Sequence, residues 1–82
     1  MKIIKITAMW CPSCLIMNDI FSSLEENISL ISYDYDMDEE IIAKYNVGKI
    51  LPVLIKLDKN DKEISRLIGE HSKKEVEEFL KE

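Results

Sequence analysis

Lys2-Ile3-Ile4-Lys5-Ile6-Thr7-Ala8-Met9-Trp10-Cys11-Pro12-Ser13-Cys14 decides how the rest of the chain is read. Its first residues, Lys2 to Ala8, are rich in β-branched side chains and predict a strand. Alternation puts Ile4, Ile6 and Ala8 on one face, with Ile3, Lys5 and Thr7 on the other. Pro12 suits the first turn of a helix, where its missing N–H would have had no partner. Met17, Ile20, Phe21 and Leu24 then recur at helical spacing, so a helix is expected from about Pro12 to Glu26.

Cys11 and Cys14 therefore fall where a strand meets a helix. Free N–H groups and the positive end of the helix dipole stabilise a thiolate there. Cys11 is expected at the helix start with its sulfur near solvent, and Cys14 one turn further in and more buried. That geometry sets the roles: Cys11 attacks a substrate disulfide and Cys14 resolves the mixed disulfide. Pro12 stiffens the turn, and Trp10 offers an apolar flank. Ser13 either donates toward sulfur or simply starts the helix.

C-x-x-C has other uses. A closed zinc site takes four ligands, and the only other imidazole or thiol in the sequence is His71, far along the chain. No metal and no cofactor is therefore assigned to a monomer. A dimer could pool four cysteines around zinc or an iron–sulfur cluster, which stays open as an alternative. A structural disulfide across so small a loop would stabilise little.

Outward from the motif, Ile28 to Tyr35 predicts a second strand. Asp36 to Asp38 can cap a short helix with Ile41, Ile42 and Tyr45 facing inward. Asn46 to Leu51 reads as a loop, and Pro52 opens a strongly apolar strand, Val53 to Leu57. Asp58-Lys59-Asn60-Asp61 is a turn signal, so Glu63 to Ile68 forms the second arm of a hairpin, ended by Gly69. Ser72-Lys73-Lys74-Glu75 fits a capping box, and the helix behind it should bury Val76, Phe79 and Leu80. The order is β-α-β-α-β-β-α. The first two strands should be parallel and the last two antiparallel, giving an α/β fold: a four-stranded mixed sheet flanked by helices on both faces.

With 82 residues, the chain is expected to be one domain, residues 1–82. Its apolar fraction of 46% allows a real core, though a chain this short buries only ~60% of its unfolded surface. The net charge of −5 argues against nucleic acid as a partner. Charges recur too closely at the N-terminus for a signal peptide's apolar core. The uncharged stretch from Ile6 to Asn18 is too short to span a bilayer, so no membrane partner is expected. One tight cysteine pair, with no others, points to redox chemistry in the cytoplasm rather than to a secreted disulfide framework.

Three segments resemble the thioredoxin and glutaredoxin superfamily. Ala8 to Cys14 is similar to the thioredoxin active-site stretch. Tyr45-Asn46-Val47-Gly48-Lys49-Ile50-Leu51-Pro52-Val53-Leu54 is similar to the loop that ends in the family's cis-proline. Ile68 to Leu80 is similar to the C-terminal Gly-turn and helix. The resemblance implies a thioredoxin-like fold and a protein-disulfide reductase acting as a monomer. It implies a cis Pro52 beside the cysteines, with Ile50, Leu51 and Pro52 as the substrate ledge. Leu51 would offer its backbone to an extended substrate. Implied partners are disulfide-containing proteins, with a thioredoxin-reductase-type flavoprotein or glutathione as reductant.

The departures also matter. The chain is expected to start at the first active-site strand, without the extra strand and helix that precede it in full thioredoxins, and its size is that of glutaredoxins. Pro12 directly after Cys11 is glutaredoxin-like, whereas Trp10 is thioredoxin-like. A glutaredoxin acting on glutathione mixed disulfides is therefore the alternative enzyme. Lys5 stands where thioredoxins place a buried acid, whose lysine partner would fall near Ser32. Lys5 is expected either to tune Cys14 or to snorkel to the sheet edge.

Overall fold

The computed structural model describes residues 2–24 and 30–81. Its elements run β1 (Lys2–Thr7), α1 (Pro12–Leu24), β2 (Leu30–Asp34), α2 (Glu39–Lys44), β3 (Val53–Leu57), β4 (Glu63–Ile68) and α3 (Lys73–Lys81). The sheet order is β2-β1-β3-β4. β1 lies parallel to β2, with Ile6 opposite Tyr33, and antiparallel to β3, with Ile6 opposite Val53. β3 and β4 form the antiparallel hairpin. The expected architecture is the observed one.

Strand alternation divides the core as the sequence predicts. Ile4, Ile6 and Ala8 join Val53, Ile55 and Leu57 on one face, where Ile42 of α2 and Tyr45 at its C-cap pack against them. Ile3 and Leu54 face the other way, under Met17 and Phe21 of α1 and Val76 and Phe79 of α3. Each such buried aliphatic or aromatic side chain contributes about 1.5–3 kcal/mol. The two layers hold β1 at the centre, so its C-terminal end, where the cysteines follow, is fixed from both sides.

The differences from expectation have local causes. β2 stops at Asp34 rather than Tyr35, because the Asp34 carboxylate accepts the backbone N–H groups of Asp36 and Met37 and bends the chain. Asp38 stands at the N-cap of α2, but its side chain does not cap the helix. It accepts the Asp34 N–H instead, at 2.8 Å, and so closes the loop rather than the helix. Among the residues expected to face inward, Ile42 of α2 and Tyr45 at its C-cap reach the core cluster and Ile41 is half-buried. The expected ends of the first helix (25 and 26) and the start of the second strand (28 and 29) lie outside the described residues, as does the side chain of Leu24.

The apolar strand Val53–Leu57 hides a lysine. Lys56 is 1% exposed. Its alternation with Leu54 places it under α3, where the ammonium donates to the Phe79 carbonyl and lies 4.6 Å from the Phe79 ring centroid. A cation at the last turn of a helix meets the negative end of its dipole and carbonyls without intrahelical partners.

The capping box forms as read. The Ser72 hydroxyl accepts the Glu75 N–H at 3.2 Å, and the Glu75 carboxylate accepts the Ser72 N–H at 3.1 Å. No helix among the described residues is long and apolar enough to cross a membrane.

Candidate active site

Cys11 is the N-cap of α1. Its own carbonyl accepts the Leu15 N–H at 3.3 Å, and its N–H donates to Ala8 at 3.2 Å, closing the turn out of β1. Its sulfur takes the place that a serine or aspartate oxygen usually fills: Sγ accepts the Cys14 N–H at 3.2 Å. Pro12 follows at the first helical position, where it sacrifices no hydrogen bond. A sulfur held by a helix N-terminal N–H is in a field that favours negative charge.

Both cysteines are free thiols. Cys14, at 2% exposed, is the deeper, as expected. Cys11 itself is only 5% exposed, more enclosed than a sulfur near solvent suggests. The reason is the loop before β3. The Cys11 thiol points at the Leu51 carbonyl, 3.6 Å away, and Leu51 is itself 5% exposed. The Leu51–Pro52 peptide bond is cis. Chemically the two thiols differ: burial first, and then the side-chain hydrogen bond with Cys11, pushes the Cys14 thiol up to about 12. Cys14 therefore holds its proton at neutral pH.

Around this pair lies an apolar rim. Trp10 is 56% exposed and Ile50 is 65% exposed. Trp10 is more than an apolar flank, because its indole N–H donates to Asp36 at 2.6 Å and its ring meets Tyr35 edge-on, centroids 5.9 Å apart. The sequence reading offered Asp36 only for the cap of the second helix, not as a partner of Trp10. It lies twenty-six positions from Trp10 and carries no motif. Ser13 is half-buried at the second helical position.

Lys5 pairs with Ser32 across β1 and β2. Its ammonium sits 5.2 Å from the Phe21 ring centroid, on the face that carries α1 and α3. Lys49 is exposed. Tyr33, Tyr35 and Tyr45 pack against the core. His71 holds Glu75 and the Ile68 carbonyl. Among the described residues, no group of three or more His, Cys, Asp or Glu side chains is placed to hold a metal ion.

Comparison with known proteins agrees with this geometry. The chain matches the thioredoxin family over residues 1–82. It superposes on a reduced thioredoxin pre-protein of Schistosoma mansoni with a TM-score of 0.86 and 28% identity, covering 98% of this chain and 75% of that one. Thioredoxin-2, a component of the malaria parasite protein secretion machinery, gives 0.84 at 26% identity, covering 98% and 80%. A mutant thioredoxin from Halobacterium salinarum gives 0.86 at 16% identity, over 98% and 71%, which speaks for the fold alone. No curated protein sequence matches.

Proposed function

The chain belongs to the thioredoxin family, and from that premise we propose that it reduces disulfides in other proteins by dithiol exchange. Family and structural neighbours support thiol–disulfide oxidoreduction as its chemistry. The observation that carries the finer reading is the unequal pair: Cys11 Sγ is held by a helix N-terminal N–H, while Cys14 is kept protonated by burial.

Cys11, as thiolate, attacks one sulfur of the substrate disulfide. The new bond joins Cys11 to that sulfur, and the other substrate sulfur leaves as a thiolate and takes a proton from solvent. Cys14 then loses its proton and attacks the Cys11 sulfur. This forms the Cys11–Cys14 disulfide and releases the second substrate thiol. Two electrons have passed from enzyme to substrate, and a flavoprotein reductase or glutathione returns them.

The remaining residues support these steps. While Cys11 is a thiol, it donates to the Leu51 carbonyl. Once it is a thiolate, that carbonyl is released to accept an N–H from an extended substrate laid along Ile50, Leu51 and Pro52. Trp10, fixed by Asp36, offers an apolar flank next to Cys11, and Pro12 and Ser13 shape the first turn. Lys5 adds positive charge beneath the sheet, on the side of α1. We place this activity in the cytoplasm on cysteine usage alone, in one domain on the chain's length, and in a monomer on the family resemblance.

The test compares turnover on insulin with turnover on a glutathionylated small thiol, under a thioredoxin-reductase-type recycling system and under glutathione. The reading expects insulin to be the better substrate. Preference for the glutathione adduct would make the chain a glutaredoxin instead.

A further inference from the structure

His71 lies outside the chemistry above, yet it touches the ledge through one peptide group. Its Nε2 is 2.9 Å from the Ile68 carbonyl, and its Nδ1 is 3.2 Å from a Glu75 carboxylate oxygen. The Ile68 carbonyl and the Gly69 N–H belong to a single planar unit. That Gly69 N–H donates to the Pro52 carbonyl at 2.8 Å. His71 therefore grips one end of the peptide plane whose other end holds Pro52. The turn has no slack: a Cβ on Gly69, at φ +87°, would come within 3.2 Å of Ile50 Cγ2.

Both partners of the ring are acceptors. A carbonyl oxygen never donates, and the Glu75 carboxylate, held ionised chiefly by the Ser72 N–H, accepts on both oxygens. A neutral imidazole has one N–H and can satisfy only one of them; the imidazolium has two and satisfies both. We propose that His71, in its doubly protonated form, is a positioning residue for the substrate ledge, clamping the Ile68–Gly69 peptide to α3 and thereby fixing the Pro52 carbonyl. The ledge loosens when His71 becomes neutral.

The electrostatic surroundings agree in direction. Glu75 first, and the Ile68 carbonyl after it, hold the imidazolium above the usual histidine range, against the opposing effect of burial. From α3 the charged side chain at the ring is Glu75, while the helix N-terminus itself disfavours a cation. From β4 the contact is the Ile68 carbonyl. Glu70, next in the turn, is exposed. A value raised on folding means the clamp is complete below the ordinary histidine pKa. It is lost as pH climbs through the raised value.

As a role in the reaction this rests on the reading above, but its first readout needs no redox activity. In the reduced protein, His71 ring signals and the Gly69 amide are followed by NMR from about pH 5.5 to 8.5. The Gly69 shift should titrate with the His71 ring. Exchange protection at Gly69, corrected for intrinsic pH dependence, should drop about threefold to tenfold, the effect of one hydrogen bond. In His71→Gln, which keeps a single side-chain N–H donor group and does not titrate, both changes should vanish while circular dichroism stays native. Gly69 behaviour that ignores the His71 titration, or persists unchanged in His71→Gln, overturns the proposal. The second readout is the ratio of insulin reduction to reduction of a small aromatic disulfide. It should fall with pH in the wild type and stay flat in His71→Gln; parallel profiles would deny the ledge role while leaving the disulfide chemistry intact.

Discussion

At the scale of single residues, the molecule is built on asymmetry between like groups. Two thiols one helical turn apart differ because one caps a helix and the other is buried in that helix's first turn. Cys11, Cys14 and Pro52 were legible in the sequence because spacing and neighbours announce them. Asp36 and Lys56 were not. Asp36 acts through a contact twenty-six positions away, and Lys56 sits in an otherwise apolar run. Its burial depends on a carbonyl supplied by α3, which no local pattern reveals. Lys56→Ala should cost about 2–4 kcal/mol, since it both opens a cavity and strands the Phe79 carbonyl. Lys56→Met keeps the stem's packing and loses only the donor, so it should cost about 1–2 kcal/mol. Urea unfolding of the two variants checks the order; a Lys56→Met protein as stable as the wild type would mean that the ammonium is not what holds α3.

Elements were read most reliably where periodicity and terminal chemistry coincide. The capping box placed the start of α3 within a residue, and β-branched alternation placed both core faces of β1. Boundaries shifted where acidic side chains chose loop N–H groups over helical ones, as at Asp34 and Asp38. Such a choice is set by the loop's closed geometry, which composition does not encode. Because α3 depends on its cap, Ser72→Ala should lower stability by about 1 kcal/mol. For a domain of this size that is a fall in Tm of about 4–8 °C. Thermal unfolding followed by circular dichroism would read it, and an unchanged Tm would show that the box contributes nothing in water.

For the whole molecule, the sheet converts sequence order into a site. Parallel β1–β2 and antiparallel β1–β3 pairing bring residues 10–14, 34–36 and 50–52 to one end, although Cys11 and Leu51, for example, lie forty positions apart. The same burial that orders them couples stability to pH. Cys14 titrates near the ordinary thiol value of 9.0 when unfolded and at about 12 when folded. Between those values the unfolded chain has given up a proton that the native chain retains, so stability falls as pH rises, by up to about 1.4 kcal/mol per pH unit. Urea midpoints of the reduced protein at pH 8 to 11 should decline more steeply in the wild type than in Cys14→Ser; equal slopes would remove Cys14 as the cause. The division of labour between the thiols has its own direct assay, the capture of a substrate. Cys14→Ser, mixed with a disulfide-containing protein and quenched with acid, should accumulate a covalent adduct through Cys11, released by dithiothreitol, whereas Cys11→Ser should form none. Adducts that form as readily through Cys14 in Cys11→Ser, or that fail to form in either variant, would contradict the account at its centre.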